Sequence, residues 1–173
     1  MIPASAILDH FPPSERIYGV LDGARDPRLR RWLIDTQLPG WCLYRGKLPP
    51  RLEDAAPWLV ALPRGHAASG QILERIWGGA CGVLLSTSLP SKELRRHLRR
   101  FLLAQTERGQ VLLFRYYDPR VLRVYVPTLT ADEAKEFFGG ISTWLAEGVE
   151  PGQVHLFRRD SLTGTVAAAS GVR

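Results

Sequence analysis

The chain has 173 residues, of which 45% are hydrophobic and 23% are charged, a composition that suits a single compact domain with a sizeable core. Its net charge of +6 points toward nucleic acid, because basic side chains neutralise phosphates, but acidic residues are interspersed almost throughout and no recognised nucleic-acid motif occurs. The two cysteines are too few for a disulfide framework and lack zinc-ligand spacing. Neither a signal peptide nor a run of about 18 apolar residues is present. We therefore expect a cytoplasmic protein with no membrane contact.

The first half of the chain alternates between strand-like and helix-like segments. Short apolar runs bounded by Gly or Pro predict strands at residues 17–22, 41–44 and 58–62. Asp26 and Pro27 are a typical N-cap and first helical residue, and they predict a helix between the first two strands.

The second half continues the alternation. We predict helices at residues 69–77, 91–105 and 118–125, and strands at 81–86, 112–114 and 153–159. A further helix is predicted between 130 and 139, because Thr130 and Glu133 form a capping box at its start and Gly139 and Gly140 end it. The strand at 112–114 is a short apolar run, which indicates burial.

Strands that alternate with helices at these spacings indicate an α/β fold. We therefore expect one compact domain over residues 17–159, with a mixed or mostly parallel sheet flanked by helices. Residues 1–16 are predicted to be a lead-in. Residues 160–173 are small, polar or weakly apolar, and they predict a flexible tail.

Motifs for the common catalytic and cofactor chemistries do not occur in the chain. The nucleophile elbow GxSxG is missing, and so are the phosphate-binding loops GxxxxGK[ST] and GxGxxG. The four histidines lie in unlike contexts, and none is at metal-ligand spacing. We expect no catalytic residue, no metal and no cofactor. An enzyme hypothesis rests only on polar residues at strand ends, such as Asp22, Ser86 and Asp118.

The predicted helix at 91–105 carries a dense group of basic residues opposed by Glu93 alone. These residues are Lys92, Arg95, Arg96, Arg99 and Arg100. One interpretation is a solvated outer face whose Arg stems cover apolar surface. The other is a docking face, because Arg suits bidentate pairing with carboxylates of a protein partner. RNA or an anionic membrane ranks behind that.

The stretch LLFRYYDPRVLRVYVPTL, residues 112–129, joins a strand to a short helix and is rich in Arg and Tyr. A structural interpretation is that Asp118 caps the helix while Arg115 pairs with Asp22 or Asp118 and ties strand ends together. The functional interpretation is a recognition surface, since Tyr and Arg are favoured at binding hot spots. The side chains assigned to that surface are Tyr116, Arg120 and Arg123.

Five motifs follow one another along the chain: VLDGARDPRL, APWLVAL, WGGACGVLLSTSLPSKELRRHLRRFL, FRYYDPRVLRVYVPTL and EFFGGISTWL. Together they lie within roughly residues 17–145 and resemble the type VI secretion effector-adaptor chaperone family, the domain of unknown function found in Tap and Tec adaptor proteins. The string FRxYDPRVL with its downstream PTL is the most specific part. The phrase FFGGI departs from the FFGP that the family commonly has.

The resemblance implies a non-enzymatic bacterial chaperone in the cytoplasm. Such an adaptor binds a cognate effector toxin and helps place it on the VgrG spike or a PAAR tip. The motifs match at residues 22–25, 95–100 and 114–122. The predicted partner-binding residues are Asp22, Arg25, Arg95, Arg96, Arg99, Arg100, Arg115, Tyr116, Asp118, Arg120 and Arg123. The alternative function is a basic nucleic-acid-binding module.

Overall fold

The computed structural model describes residues 3–106 and 108–168. Its strands are β1 (Arg16–Asp22), β2 (Gly40–Cys42), β3 (Pro57–Ala61), β4 (Gly82–Thr87), β5 (Leu103–Gln105), β6 (Val111–Leu113), β7 (Ile141–Glu147), β8 (Gln153–Arg158) and β9 (Ser161–Ala168). Its helices are α1 (Ala4–Leu8), α2 (Leu29–Thr36), α3 (Pro50–Asp54), α4 (Ala67–Ile76), α5 (Ser91–Arg100), α6 (Pro119–Tyr125) and α7 (Ala131–Phe138). None of the helices in these two ranges has the length and apolar character needed to cross a bilayer.

Seven of the strands form one sheet in the order β2-β3-β1-β4-β7-β8-β9. Every neighbouring pair in this sheet is antiparallel. The prediction of a mixed or mostly parallel sheet is therefore wrong, although the combination of a sheet with flanking helices holds. Strands β5 and β6 form a separate antiparallel pair, which we call the ribbon.

Two of the helical connections join strands that are not neighbours in the sheet, and in both cases another strand fills the gap and runs antiparallel to its neighbours. The chain passes from β1 through α2 to β2, which lies two positions away in the sheet, and β3 then occupies the position between them, antiparallel to both. The connection from β3 through α4 to β4 brackets β1 in the same way. The same alternation of strands and helices along the chain occurs in a parallel sheet and in this antiparallel one. The alternation does not tell which later strand lies between the two strands that a helix connects.

Hydrophobic side chains cover both faces of the sheet. Along β1, Ile17 and Leu21 share one core cluster with residues of α1, α2 and α4. Tyr18 and Val20 share the other cluster with residues of α5, α6 and α7. Successive side chains of a strand point to opposite faces, so β1 contributes to both clusters and is buried on both sides.

Strands β7 and β9 lie where the sequence predicts no strand. Gly139 has a φ of +52° and ends α7, and the chain then turns directly into β7, which takes a central position between β4 and β8. β9 pairs with β8 over part of the segment for which the sequence predicts a flexible tail. Residues 169–173 of that predicted tail lie outside the described residues.

The ribbon also differs from the sequence-based expectations. The helix predicted across residues 91–105 ends at Arg100, and its last residues form β5 instead. The run predicted as a buried strand at 112–114 overlaps β6, whose side chains are all exposed. The prediction of burial is wrong because β6 pairs with β5 and not with the main sheet, so neither layer of helices covers it.

Candidate partner-binding surfaces

Two segments that lie 93 residues apart in the chain meet at an ion pair beside the end of β1. Asp22 is almost fully buried, and one carboxylate oxygen accepts a 3.0 Å hydrogen bond from the backbone N–H of Ala24. Its other oxygen accepts a 2.5 Å hydrogen bond from Nη2 of Arg115, which also lies 3.8 Å from the carboxylate of Asp118. The structural interpretation of Arg115 is confirmed, because its guanidinium ties β1 to the segment before α6.

Asp118 is the N-cap of α6, as the sequence predicts. Its Oδ1 accepts a 3.0 Å hydrogen bond from the backbone N–H of Arg120, and the guanidinium of Arg120 donates to both carboxylate oxygens at 2.9 and 2.6 Å. Burial raises the pKa of the Asp118 carboxyl, but the hydrogen bonds from Arg120 outweigh burial and the net shift is downward. The start of α6 is therefore held by a charged, bidentate pair.

Tyr116 lies in the core, which corrects the prediction that it helps to recognise a partner. Its side chain is fully buried, and its hydroxyl donates a 3.1 Å hydrogen bond to the carbonyl of Leu98 in α5. Its ring packs edge-on against Phe137 and Trp144. Burial raises the pKa of the phenol well above its ordinary value. A buried Tyr with a satisfied hydroxyl is a packing residue.

Other predicted arginines divide between ties within the fold and exposed positions. Arg123 donates from Nη1 to the carbonyl of Glu147 at 2.5 Å and so links α6 to the end of β7. Arg100 pairs with Glu136 of α7 at 2.7 Å, where both side chains are more than half exposed. Arg25, in the loop after β1, is exposed. Of these three, Arg25 leaves its charge most accessible to a partner.

The basic face of α5 is split between inward and outward arginines. Arg95 donates from Nε and Nη2 to the carbonyl of Cys42 at 3.2 and 2.9 Å. Arg99 donates to three successive carbonyls, those of residues 42–44, at 3.1, 2.9 and 2.6 Å. Both side chains are half-buried, whereas Arg96 is exposed. The interpretation as a solvated outer face is therefore wrong for Arg95 and Arg99, whose guanidiniums bind carbonyls at the end of β2 and in the loop after it.

The ribbon exposes large apolar side chains that the sequence pattern did not reveal as surface. Leu103, Val111, Leu112 and Leu113 are between 44% and 64% exposed. Leu103 pairs with Leu113 across the strands, and Leu112, one residue along, points to the opposite face. Both faces of the ribbon are therefore apolar and open to solvent.

An apolar groove on α6 lies directly after the ribbon in the chain. Its volume is about 480 Å³, and it is lined by Phe114, Arg120, Val121, Val124, Tyr125 and Thr128. The rings of Phe114 and Tyr125 form its aromatic part, with centroids 4.6 Å apart and an edge-on contact. Val124 is one of the most exposed hydrophobic side chains described. We call the ribbon and this groove together the apolar surface.

The polar residues behind the enzyme hypothesis are engaged within the fold. Ser86 of β4 donates a 2.6 Å hydrogen bond to the carboxylate of Glu15, and its Oγ lies 3.1 Å from the hydroxyl of Ser142. Asp22 and Asp118 hold Arg115, as described above. Within residues 3–106 and 108–168, no group of three or more His, Cys, Asp or Glu side chains is placed to hold a metal ion.

The family model described as "Domain of unknown function (DUF4123)" matches residues 17–136. No curated protein and no solved structure matches the chain. The matched region runs from β1 into α7, so it contains both sides of the Asp22–Arg115 pair, the basic helix α5 and the whole apolar surface.

Proposed function

Since the chain belongs to the family described as "Domain of unknown function (DUF4123)", we propose that it is a non-enzymatic adaptor chaperone of a bacterial type VI secretion system. It binds a cognate effector toxin in the cytoplasm and helps to load the toxin onto the VgrG spike or a PAAR tip. The family is associated with such adaptors, and the ordered motifs of the chain, FRYYDPRVL above all, support the same function.

The observation that carries the proposal is the apolar surface. Eight large hydrophobic side chains are exposed in the described part of the chain, and five of them lie on the ribbon and α6. Such a concentration on one segment is typical of an interaction site, whereas single scattered apolar residues need no explanation. An isolated two-stranded pair is only marginally stable in water, so a partner that covers the ribbon also stabilises it.

Two arginine contacts beside the apolar surface favour binding because they hold α6 in place before the partner arrives. Arg115 connects the segment before α6 to Asp22 on β1, and Arg123 connects α6 to the end of β7. A surface that is already ordered loses less conformational entropy when it binds. In this proposal Arg115 and Arg123 brace the binding surface, and the exposed leucines and valines make the contacts.

Co-purification with the effector encoded beside the gene for this chain tests the proposal. We expect the wild-type chain to retain the effector and the Leu103→Ser/Leu113→Ser variant to lose most of it, because that variant removes a cross-strand apolar pair from the ribbon. The control is Ile34→Ser/Val149→Ser, which changes two exposed apolar residues outside the apolar surface and should retain the effector. A wild-type chain that binds none of the neighbouring effectors or spike proteins contradicts the adaptor function. Equal loss with both double variants contradicts the role of the ribbon.

A further inference from the structure

A second surface, with opposite chemistry, lies between α5 and the loop after β2. It surrounds a pocket of about 420 Å³, which we call the cationic pocket. The pocket is lined by Arg45, Lys92, Glu93, Arg95, Arg96 and Arg99. Five of these six side chains are basic, and none of them belongs to the apolar surface.

Part of the cationic pocket is rigid. The guanidiniums of Arg95 and Arg99 are held by the carbonyls of residues 42–44, and each makes more than one of these hydrogen bonds. Burial lowers the pKa of Arg99, and the neighbouring charges of Arg95 and Arg45 lower it further. Carbonyl oxygens satisfy the donors of these arginines without neutralising their charge, so an anion in the pocket meets fixed positive groups.

The rest of the cationic pocket is free to adapt. Arg45, Lys92 and Arg96 are exposed side chains at its rim. Arg45 follows β2 and was not among the predicted site residues, because nothing in the sequence indicates that a loop 50 residues away lies against α5. A planar guanidinium presents several donors in a fork that matches a carboxylate. Fixed arginines at the base and free ones at the rim suit an anionic group that enters from solvent.

We propose that the cationic pocket docks a carboxylate-rich segment of a protein partner. The inference rests on the proposed adaptor function and gives the adaptor a second interface, separate from the apolar surface. One interface can then hold the effector while the other meets an acidic stretch of the loading machinery. Such steering by charge speeds association and selects the correct partner.

A protein segment fits the cationic pocket better than a nucleic acid does. Nucleic acid needs a track of cations that follows many phosphates. Here the basic side chains form a local cluster interrupted by acids: Glu93 lines the pocket itself, and Glu136 pairs with Arg100 at the end of α5. A short run of Asp and Glu residues needs only the five basic side chains of this local cluster to neutralise it.

Fluorescence anisotropy with three probes tests the inference. The probes are a labelled 12-residue peptide of alternating Glu and Gly, the same peptide with Gln in place of Glu, and a 12-nucleotide oligothymidine. We expect the Glu peptide to bind the wild-type chain and the Gln peptide to bind at least 10-fold more weakly. Binding of the Glu peptide should weaken at least 10-fold in Arg45→Glu/Arg96→Glu. Because both side chains are exposed, this variant should fold normally, and Arg45→Gln/Arg96→Gln is a second variant with a smaller change in charge.

The matched control is Arg158→Glu/Arg159→Glu, which makes the same change in net charge at two exposed residues at the end of β8. We expect less than a 2-fold effect. Equal weakening in both variants overturns the inference, because the pocket would then add nothing beyond net charge. Tighter binding of oligothymidine than of the Glu peptide overturns it in favour of nucleic acid.

Combining these variants with the co-purification separates the inference from the proposed function. If the wild-type chain binds the Glu peptide but retains no effector or spike protein, the adaptor function is contradicted, and the anion site still stands. If the effector and the spike protein both co-purify with Arg45→Glu/Arg96→Glu as they do with the wild type, the pocket is not a docking site, and the adaptor function still stands.

Discussion

Loss of Arg115 should destabilise the protein more than loss of the charge on its partner Asp22, because the two side chains differ in their access to water. The side chain of Asp22 is 2% exposed, and that of Arg115 is 39% exposed. In Arg115→Ala the carboxylate of Asp22 stays buried and keeps a hydrogen bond from the backbone N–H of Ala24. In Asp22→Asn the guanidinium of Arg115 remains in contact with water.

The expected free energies of unfolding follow from that asymmetry. Removal of one partner from a buried ion pair costs about 3–5 kcal/mol, and we expect about 3 kcal/mol for Arg115→Ala because the arginine side of the pair admits water. Asp22→Asn turns a charged contact into a neutral one and should cost about 1–2 kcal/mol. In the Arg115→Ala background the same Asp22→Asn change removes a buried, unpaired charge. There it should restore about 1–2 kcal/mol, so the sign of its effect inverts.

Urea unfolding of the two single variants and the double variant at pH 7 and constant salt measures these differences, provided that the m-value is unchanged. The control is Arg31→Ala, which breaks an exposed pair with Asp35 and should cost less than about 0.5 kcal/mol. If Asp22→Asn lowers the stability by the same amount in the wild type and in Arg115→Ala, the two residues are not coupled. The account of the brace would then be wrong.

Two further predictions concern the same junction. Asp118→Ala should cost about 0.5–2 kcal/mol in urea unfolding through the lost N-cap. Because the pKa of Asp118 is lowered in the folded state, the contribution of this carboxylate to stability is present above the ordinary pKa of 3.8 and is lost as the pH falls further. Acidification should therefore cost the wild type more stability than it costs Asp118→Ala. Tyr116→Phe should lower the free energy of unfolding by about 1 kcal/mol, since it removes the hydrogen bond to Leu98. The same variant should co-purify with the effector as the wild type does. Loss of the effector at unchanged stability would show that Tyr116 belongs to the binding surface.

Local features of the fold could be predicted because they depend on residues close together in the chain. Asp118 caps α6, and Thr130 and Glu133 form the capping box of α7, as the sequence indicates. Each of these contacts joins groups no more than three residues apart, so the sequence motif alone contains both donor and acceptor. The predicted N-cap Asp26 and first helical residue Pro27 are wrong for α2, which begins at Leu29 with Arg28 as an N-cap that makes no side-chain capping hydrogen bond. Asp26 instead accepts a hydrogen bond from the backbone N–H of Arg28 and pairs with Arg75.

The candidate surfaces could be predicted only in part because exposure depends on distant segments. The pairing of Arg115 with Asp22 was one of two structural options for that arginine, and the fold satisfies both. In contrast, the apolar run in β6 has the pattern of a buried strand, yet it is exposed because its partner is β5. Arg95 and Arg99 have the spacing of an outer helix face, yet carbonyls at the end of β2 and in the loop after it accept their hydrogen bonds.

The sequence by itself determined where most helices and strands begin, that Asp118 caps α6 and Thr130 caps α7, and which family the chain resembles, since these depend on short-range hydrogen bonds and local motifs. Only the tertiary structure decided that all neighbouring strands run antiparallel, that Tyr116 is a core residue, and that the ribbon leaves its leucines in solvent. Those outcomes depend on which segments come together after the chain folds. Contacts between β1 and β4 and between β4 and β7 join residues more than 50 positions apart, and no local pattern contains that information.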